Sequence, residues 1–216
     1  GTGSGKSSLI SLIPRFFDVT EGAILLDGID IRSLSQKSLR QAIGYVPQKG
    51  LLFSGTIASN LLYGNEHADE KAMENAAETA QAMDFIREKP DGFDEPVAQG
   101  GTTVSGGQKQ RLSIARALIR KPQIYIFDDS FSALDLKTDA ALRNALKEKV
   151  GSSTFIIVAQ RINTIMDADQ IIVLDDGEIA GIGTHETLLQ NCEVYREIAS
   201  SQLSEEELKK GADING

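Results

Sequence analysis

The sequence predicts an α/β fold with a mostly parallel sheet and an inserted helical subdomain. From residue 123 onward, near-continuous apolar runs alternate with helical stretches, as buried parallel strands do; they cover residues 124–127, 155–158 and 171–174. Residues 55–120 are mostly helical in pattern. A glycine-rich loop at the start leads directly into a helix, which is typical of a P-loop NTPase core.

The first elements follow from apolar spacing and turn residues. Residues 7–17 have helical character, and Pro14 ends or bends that helix. Residues 23–26 predict a strand that turns at Asp27-Gly28 and returns over residues 29–31. Residues 43–46 predict a short buried strand closed by Pro47.

The helical subdomain and the carboxyl-terminal end are predicted in the same way. Residues 68–89, rich in Ala, Glu and Met, predict one helix, residues 91–101 a loop, and residues 105–120 a second helix. Ser204 and Glu207 have the spacing of a capping box, so residues 204–210 predict a terminal helix before a mobile tail. We therefore expect a single domain, with its core over about 1–54 and 121–203, its helical subdomain over about 55–120 and its tail over 204–216.

Composition narrows the class of protein. The chain has 216 residues, of which 41% are hydrophobic, so it can bury a sizeable core. The net charge is −9 and no basic run is present, which argues against nucleic acid as a partner. Cys192, in a polar stretch, is the single cysteine and excludes an internal disulfide. No apolar run approaches the roughly 20 residues that cross a bilayer.

The glycine-rich loop predicts a phosphate site. The usual pattern is G-x-x-x-x-G-K-[ST], and its first glycine would precede Gly1, so we expect the chain to be a piece of a longer protein whose upstream strands are missing. Lys6 would reach the β- and γ-phosphates, and the Ser7 hydroxyl would bind Mg²⁺. The residues predicted to bind ATP are Thr2, Gly3, Ser4, Gly5, Lys6, Ser7 and Ser8.

Two further motifs accompany that loop. Asp128 ends an apolar strand, where a Mg²⁺-binding carboxylate belongs, although an Asp after a strand is by itself more often a turn residue or a helix cap. Ser105-Gly106-Gly107-Gln108 opens a helix, with Ser105 a good N-cap; by itself this is simply a capped helix.

Taken together, these motifs resemble the nucleotide-binding domain of an ABC transporter, and the resemblance runs through almost the whole chain. It implies ATP and Mg²⁺ as cofactors, with Ser7, Gln48 and Asp128 at the metal. It also implies that Ser105 to Gln108 are a signature that closes over the ATP of a second nucleotide-binding domain. The segment Ser132, Ala133, Leu134 and Asp135 matches the family's D-loop.

The subtype resembles an exporter. Residues 52–57 and 60–64 and the segment Gly183 to Glu186 are similar to the exporter version of the domain. The resemblance implies a transmembrane domain fused upstream, a place at the cytoplasmic face of the cell membrane, and an adenine-stacking aromatic residue in the missing upstream region. Multidrug, lipid and peptide export all remain open.

Two residues depart from the family pattern. Asp129 stands where the family usually has the Glu that polarises the attacking water, and Gln160 stands where it usually has His. Gln48, Asp129 and Gln160 are the predicted catalytic residues. Asp is one methylene shorter than Glu, and a misplacement of about 1 Å costs roughly 100-fold in rate. We expect slow hydrolysis at this site, as in one half of a heterodimeric exporter.

Other functions compete with this interpretation. One is a soluble ABC-type ATPase of DNA repair or translation, which usually carries coiled coils, tandem domains or basic surfaces. Another is a regulatory ATP-binding module with negligible hydrolysis, which Asp129 and Gln160 favour in part. A P-loop kinase fits least, because it has no use for the segment Ser105 to Gln108.

Overall fold

The computed structural model describes residues 3–150 and 152–204. The chain divides into two compact units, one formed by Gly1–Leu9 with Ala159–Gly216 and the other by Ile10–Val158. Thr2 and the predicted terminal helix from residue 205 onward lie outside the described residues.

The structure has the following helices and strands. The helices are α1 (Lys6–Ser11), α2 (Gln36–Gln41), α3 (Ile57–Leu62), α4 (Glu70–Thr79), α5 (Met83–Arg87), α6 (Gly106–Leu118), α7 (Leu136–Lys149), α8 (Ile162–Ile165), α9 (His185–Asn191) and α10 (Glu193–Gln202). The strands are β1 (Leu25–Leu26), β2 (Ile29–Asp30), β3 (Ile43–Val46), β4 (Gly55–Thr56), β5 (Pro96–Val97), β6 (Ile124–Asp128), β7 (Thr154–Val158), β8 (Ile171–Asp175) and β9 (Glu178–Gly183).

A parallel sheet of order β3-β6-β7 is the centre of the larger unit. Every residue of β6 is buried, which explains its continuous apolar run, because a central parallel strand is covered on both faces. Tyr45 pairs with Ile126 and Val46 with Phe127. The α/β fold with a parallel sheet is therefore confirmed, and the carboxyl ends of β3 and β6 lie side by side.

Local signals explain how several elements begin and turn. Ser105 caps α6 and Asp135 caps α7, each accepting a hydrogen bond from a backbone amide of its helix. Asp27 and Gly28 have φ values of +50° and +80°, as the tight turn between β1 and β2 requires. The predicted turn at this position is confirmed. Helix α1 ends at Ser11, before Pro14, where the sequence predicts an end or a bend, and before the helical pattern stops at residue 17.

The single helix predicted over residues 68–89 is wrong. The structure has α4 and α5, separated by a turn in which Gln81 takes a φ of +57°. The Gln81 carbonyl accepts a hydrogen bond of 2.6 Å from Arg111 Nη1, and Ala80 and Ala82 are completely buried around it. Contacts with α6 therefore break the helix, although the local sequence contains no Gly or Pro to mark the break.

The smaller unit contains the hairpin β8–β9 with α8, α9 and α10. The prediction that residues 171–174 join a parallel sheet is wrong for the described part of the chain: β8 pairs antiparallel with β9 through a turn at Asp176 and Gly177. Cys192, expected in a polar stretch, is buried in the apolar cluster of this unit. That cluster consists of Ile162, Ile171, Val173, Leu188, Cys192, Tyr195, Ala199 and Leu203.

Within residues 3–150 and 152–204, no helix combines the length and the apolar character that crossing a membrane requires.

Candidate nucleotide-binding site

The phosphate loop lies at the start of the smaller unit and leads into α1. Gly3 and Gly5 have φ values of +91° and +85°, a region that glycine occupies without strain. A Cβ at either position would have open space around it, so the backbone angle is what requires glycine there. Lys6 Nζ donates a hydrogen bond of 2.7 Å to the Oγ of Ser4, which is buried. This contact holds the ammonium group against the glycine-rich loop.

Gln160, predicted to act on the γ-phosphate, also belongs to the smaller unit, and its side chain is exposed. Its backbone is held by Gln202 of α10. Gln202 Nε2 donates to the Gln160 carbonyl at 2.8 Å, and Gln202 Oε1 accepts from the Ile162 amide at 2.9 Å. Sequence reasoning missed Gln202, because a glutamine near the end of an amphipathic helix gives no signal of such a contact.

Two buried acidic residues lie in succession at the carboxyl end of β6, in the larger unit. Asp128 is the last residue of the strand, and Asp129 follows it with a φ of +47°. The Asp129 amide donates to the Val158 carbonyl at 2.9 Å, which fixes its backbone beside the end of β7. Asp is among the few non-glycine residues that tolerate positive φ, so this backbone suits the shorter carboxylate.

Gln48 and Asp129 are brought together although they lie far apart in the sequence. Gln48 Nε2 donates a hydrogen bond of 3.0 Å to Asp129 Oδ2. This contact commits the amide NH₂ of Gln48 to the carboxylate and leaves its Oε1 as the atom suited to a cation. A second contact joins Tyr45 Oη to Asp128 Oδ2 at 3.2 Å.

The chain segment that carries Gln48 is anchored by groups that sequence reasoning did not identify. The Pro47 carbonyl accepts from Gln110 Nε2 at 3.1 Å. Ser130 Oγ donates its single proton to the Val46 carbonyl at 2.9 Å, and the Pro47 carbonyl oxygen lies 3.4 Å from the same hydroxyl. Gln110 is almost completely buried in α6. The available signal in the sequence was a glutamine on the buried face of a helix, because a buried polar side chain needs a hydrogen-bond partner.

The signature segment begins α6 with an exposed first turn. Ser105 Oγ accepts from the Gln108 amide at 3.2 Å, and Gln108 Oε1 accepts from the Ser105 amide at 3.0 Å, so the two residues form a capping box. Ser105 and Gly106 are exposed, and Gly107 and Gln108 are partly exposed. A Cβ on Gly107 would lie 3.4 Å from the Ala133 carbonyl oxygen, so this turn packs against the predicted D-loop.

The segment Ser132 to Asp135 connects the acidic pair to α7. Ser132 Oγ donates to the Asp129 carbonyl at 2.8 Å, Ala133 is exposed, and Leu134 is buried. Hydrogen bonds from the amide and hydroxyl of Thr138 lower the pKa of Asp135, which keeps this cap ionised near neutral pH.

The groups predicted to hold Mg²⁺ have the right chemistry for that ion. Ser7 offers a hydroxyl, Asp128 a buried carboxylate and Gln48 an amide oxygen, and all three are hard oxygen ligands. Residues 3–150 and 152–204 contain no cluster of three or more His, Cys, Asp and Glu that would form an all-protein cage. Mg²⁺ usually binds through one or two carboxylates and substrate phosphates, and within the larger unit Asp128 and Gln48 offer a carboxylate and an amide oxygen of this kind.

Comparison with known proteins gives consistent matches. Residues 1–132 match the family model described as ABC transporter. An uncharacterized ABC transporter ATP-binding protein of Mycobacterium tuberculosis is 53% identical over 204 residues, which are 93% of this chain and 35% of that protein. An ATP-dependent lipid A-core flippase of Saccharophagus degradans is 43% identical over 94% of this chain and 35% of the flippase. This chain thus spans about a third of the length of these relatives.

Among solved structures, a bacterial Atm1-family ABC exporter with ATP bound has the same fold. It superimposes with a TM-score of 0.91 and is 41% identical in sequence, over 95% of this chain and 36% of the exporter chain.

Proposed function

Because this chain belongs to the ABC transporter family, we propose that it is the ATP-binding and ATP-hydrolysing domain of an exporter. The observation that carries the proposal is the hydrogen bond between Gln48 and Asp129, beside Asp128 at the end of β6. That hydrogen bond joins the Gln48 amide to the Asp129 carboxylate, next to the carboxylate of Asp128, in a chain that also carries a phosphate loop. ATP hydrolysis in P-loop proteins uses groups of these kinds.

The phosphate loop binds the triphosphate of ATP in this proposal. The amides of Gly3 to Ser8 and the Lys6 ammonium face the β- and γ-phosphates. Ser7, Gln48 and Asp128 would hold Mg²⁺, which would supply charge neutralisation at the phosphates. Thr2 is assigned to the ATP-binding residues from the sequence motif of the phosphate loop alone. In this proposal, ATP and Mg²⁺ are thus bound by hydroxyl, amide, ammonium and carboxylate groups of this chain.

Hydrolysis at this site is slow. Asp129 orients the attacking water through a side chain one methylene shorter than Glu, and Gln160 contacts the γ-phosphate as a neutral group. The positive φ of Asp129 supports the idea that the local backbone is matched to Asp. The regulatory alternative, ATP binding with negligible hydrolysis, is favoured by these same two residues.

The exposed signature completes a second site. Ser105 to Gln108 close over ATP held by a partner nucleotide-binding domain, and Ser132 to Asp135 lie along the same contact. Because this chain's own site is the weaker one, the partner is a different chain and the pair is a heterodimer. ATP is retained here while turnover occurs mainly at the partner's phosphate loop.

Export requires a membrane domain, which we place upstream on the same polypeptide. The relatives include a lipid A-core flippase, which supports export rather than a soluble role in DNA repair or translation. The ATP-binding domain then lies at the cytoplasmic face of the membrane, with its core over about 1–54 and 121–203, its helical subdomain over about 55–120 and its tail over 204–216. The membrane domain selects the cargo, whether small molecule, lipid or peptide.

ATP titration of the intact protein with Lys6→Ala tests the proposal. Loss of charged hydrogen bonds to phosphate is expected to weaken ATP binding roughly 10- to 100-fold. Lys71→Ala, on the exposed face of α4, is the matched control and leaves the affinity unchanged. Equal ATP affinity in Lys6→Ala and the control contradicts the assignment of the phosphate loop.

A further inference from the structure

The Tyr45 hydroxyl lies beside Asp128, one of the residues proposed to hold the metal. Tyr45 is on β3 and pairs with Ile126, two residues before Asp128 on the neighbouring strand β6. Its phenol extends along the sheet toward the carboxyl end of β6, where Tyr45 Oη lies 3.2 Å from Asp128 Oδ2. The contact therefore joins two adjacent strands at the edge of the sheet where the acidic pair lies.

The phenol ring of Tyr45 is itself held in place. Phe16 packs against it edge-on, with ring centroids 5.3 Å apart and an interplanar angle of 76°. The Arg40 guanidinium lies 5.5 Å from the centroid of the Phe16 ring, and Arg40 Nε donates to the Pro14 carbonyl at 3.1 Å. A fixed ring places the hydroxyl at one point, so its bond to Asp128 constrains the carboxylate.

The direction of the hydrogen bond follows from the chemistry of the two groups. A phenol hydroxyl carries one proton and a carboxylate only accepts, so Tyr45 Oη donates and Asp128 Oδ2 accepts. A donor fixed at Oδ2 restricts rotation of the carboxylate and orients Oδ1 and the remaining lone pairs of Oδ2.

We propose that Tyr45 is a positioning residue for the metal site: its hydroxyl orients the Asp128 carboxylate for the divalent cation that accompanies ATP. The inference rests on the proposed function, since it assumes that Asp128 binds Mg²⁺ with ATP. Hydrogen-bond partners of a ligating carboxylate fix its orientation, and their loss typically costs 10- to 100-fold in metal affinity or activity.

Tyr125 provides the contrast that separates this role from packing. It lies on β6, is more deeply buried than Tyr45, and stacks on Phe155 with ring centroids 5.2 Å apart. Removing either hydroxyl deletes the same atom from the same sheet, but only Tyr45 donates to Asp128.

The test compares Tyr45→Phe with Tyr125→Phe in the intact protein. ATP affinity is measured as a function of free Mg²⁺ and again in EDTA, and Mn²⁺ in place of Mg²⁺ is followed by electron paramagnetic resonance. Tyr45→Phe is expected to raise the Mg²⁺ or Mn²⁺ concentration needed for tight ATP binding by about 10-fold. It leaves metal-free ATP affinity unchanged and alters the Mn²⁺ spectrum, whereas Tyr125→Phe matches the unmodified protein in every measurement.

Each other outcome overturns the inference. An unchanged or lowered metal requirement in Tyr45→Phe means that the hydroxyl does not orient the ligand. An equal shift in both variants assigns the effect to general packing of the sheet. If the unmodified protein does not bind ATP, or binds it with the same affinity at every Mg²⁺ concentration, the proposed function itself is contradicted. That result is obtained with the unmodified protein alone, before any variant is compared.

Discussion

Replacing Asp129 by Glu together with Gln160 by His is expected to raise ATP turnover about 100-fold or more. The Asp129 amide is fixed to the Val158 carbonyl at 2.9 Å, so its Cα cannot move to compensate for a short side chain. One added methylene carries the carboxylate about 1 Å further, and a misplacement of that size costs roughly 100-fold. Gln160→His adds a ring N–H donor that can become cationic by protonation, and a cationic donor binds phosphate more strongly than a neutral amide.

The same change is expected to weaken the domain slightly. Glu is less suited than Asp to the φ of +47° at this position, and the left-handed region costs an L-residue about 1–2 kcal/mol. The hydrogen bond of 3.0 Å from Gln48 Nε2 must also be remade to a carboxylate in a new place. For a domain of this size, a loss of about 1 kcal/mol lowers Tm by roughly 2–4 °C. Faster turnover with a lower Tm is thus the combined signature.

The assay is phosphate release by the intact protein with its partner chain inactivated at the partner's own site. Asp129→Asn is the matched control, because Asn has the same shape and tolerates the same φ but has no charge. We expect Asn to lower the residual turnover while ATP binding is retained. Brisk turnover before substitution, or no rise in the Glu and His double variant, refutes the reasoning about both residues.

Two further predictions concern groups that hold the fold around the site. His185 is buried, and its Nδ1 lies 2.8 Å from Tyr195 Oη. Its Nε2 has no hydrogen-bond partner among residues 3–150 and 152–204, and burial lowers the pKa of His185. Since the unfolded chain binds the proton more readily, stability is expected to fall as pH drops below roughly 6.5, and His185→Gln should flatten this pH dependence of Tm. Gln110→Leu removes the amide that donates to the Pro47 carbonyl and is expected to cost about 1 kcal/mol. Combining it with Ser130→Ala, which removes the donor to the adjacent Val46 carbonyl, takes the side-chain donors from two neighbouring carbonyls and should cost more than the sum. Additive effects in denaturant unfolding would count against this shared anchor.

The elements that sequence predicted best are those with strong local signals. The strand over residues 43–46 and the Ser105 cap of α6 were predicted correctly, because burial on both faces and capping chemistry are visible in a few consecutive residues. The break between α4 and α5 was missed, since it depends on Arg111 reaching the Gln81 carbonyl from another helix. Tertiary contacts override propensity at such positions.

The candidate site was predictable in its residues but not in its connections. Motif spacing identified Gln48, Asp128 and Asp129, whose roles remain predictions. The hydrogen bond between Gln48 and Asp129 joins residues 81 positions apart, and that between Tyr45 and Asp128 joins residues 83 apart. No periodicity within a strand encodes which side chain of a neighbouring strand it will meet. The positioning role of Tyr45 therefore emerged only from the structure.

The central claim is that this chain retains ATP while a partner chain turns it over. The most direct test is site-resolved nucleotide trapping in the intact protein assembled with the proposed partner chain, with a photoreactive ATP analogue and vanadate, followed by identification of the labelled chain and of the trapped nucleotide. Our account predicts uncleaved triphosphate at the phosphate loop containing Lys6 and vanadate-trapped diphosphate at the partner's loop. Equal trapping of diphosphate at the two sites would contradict it.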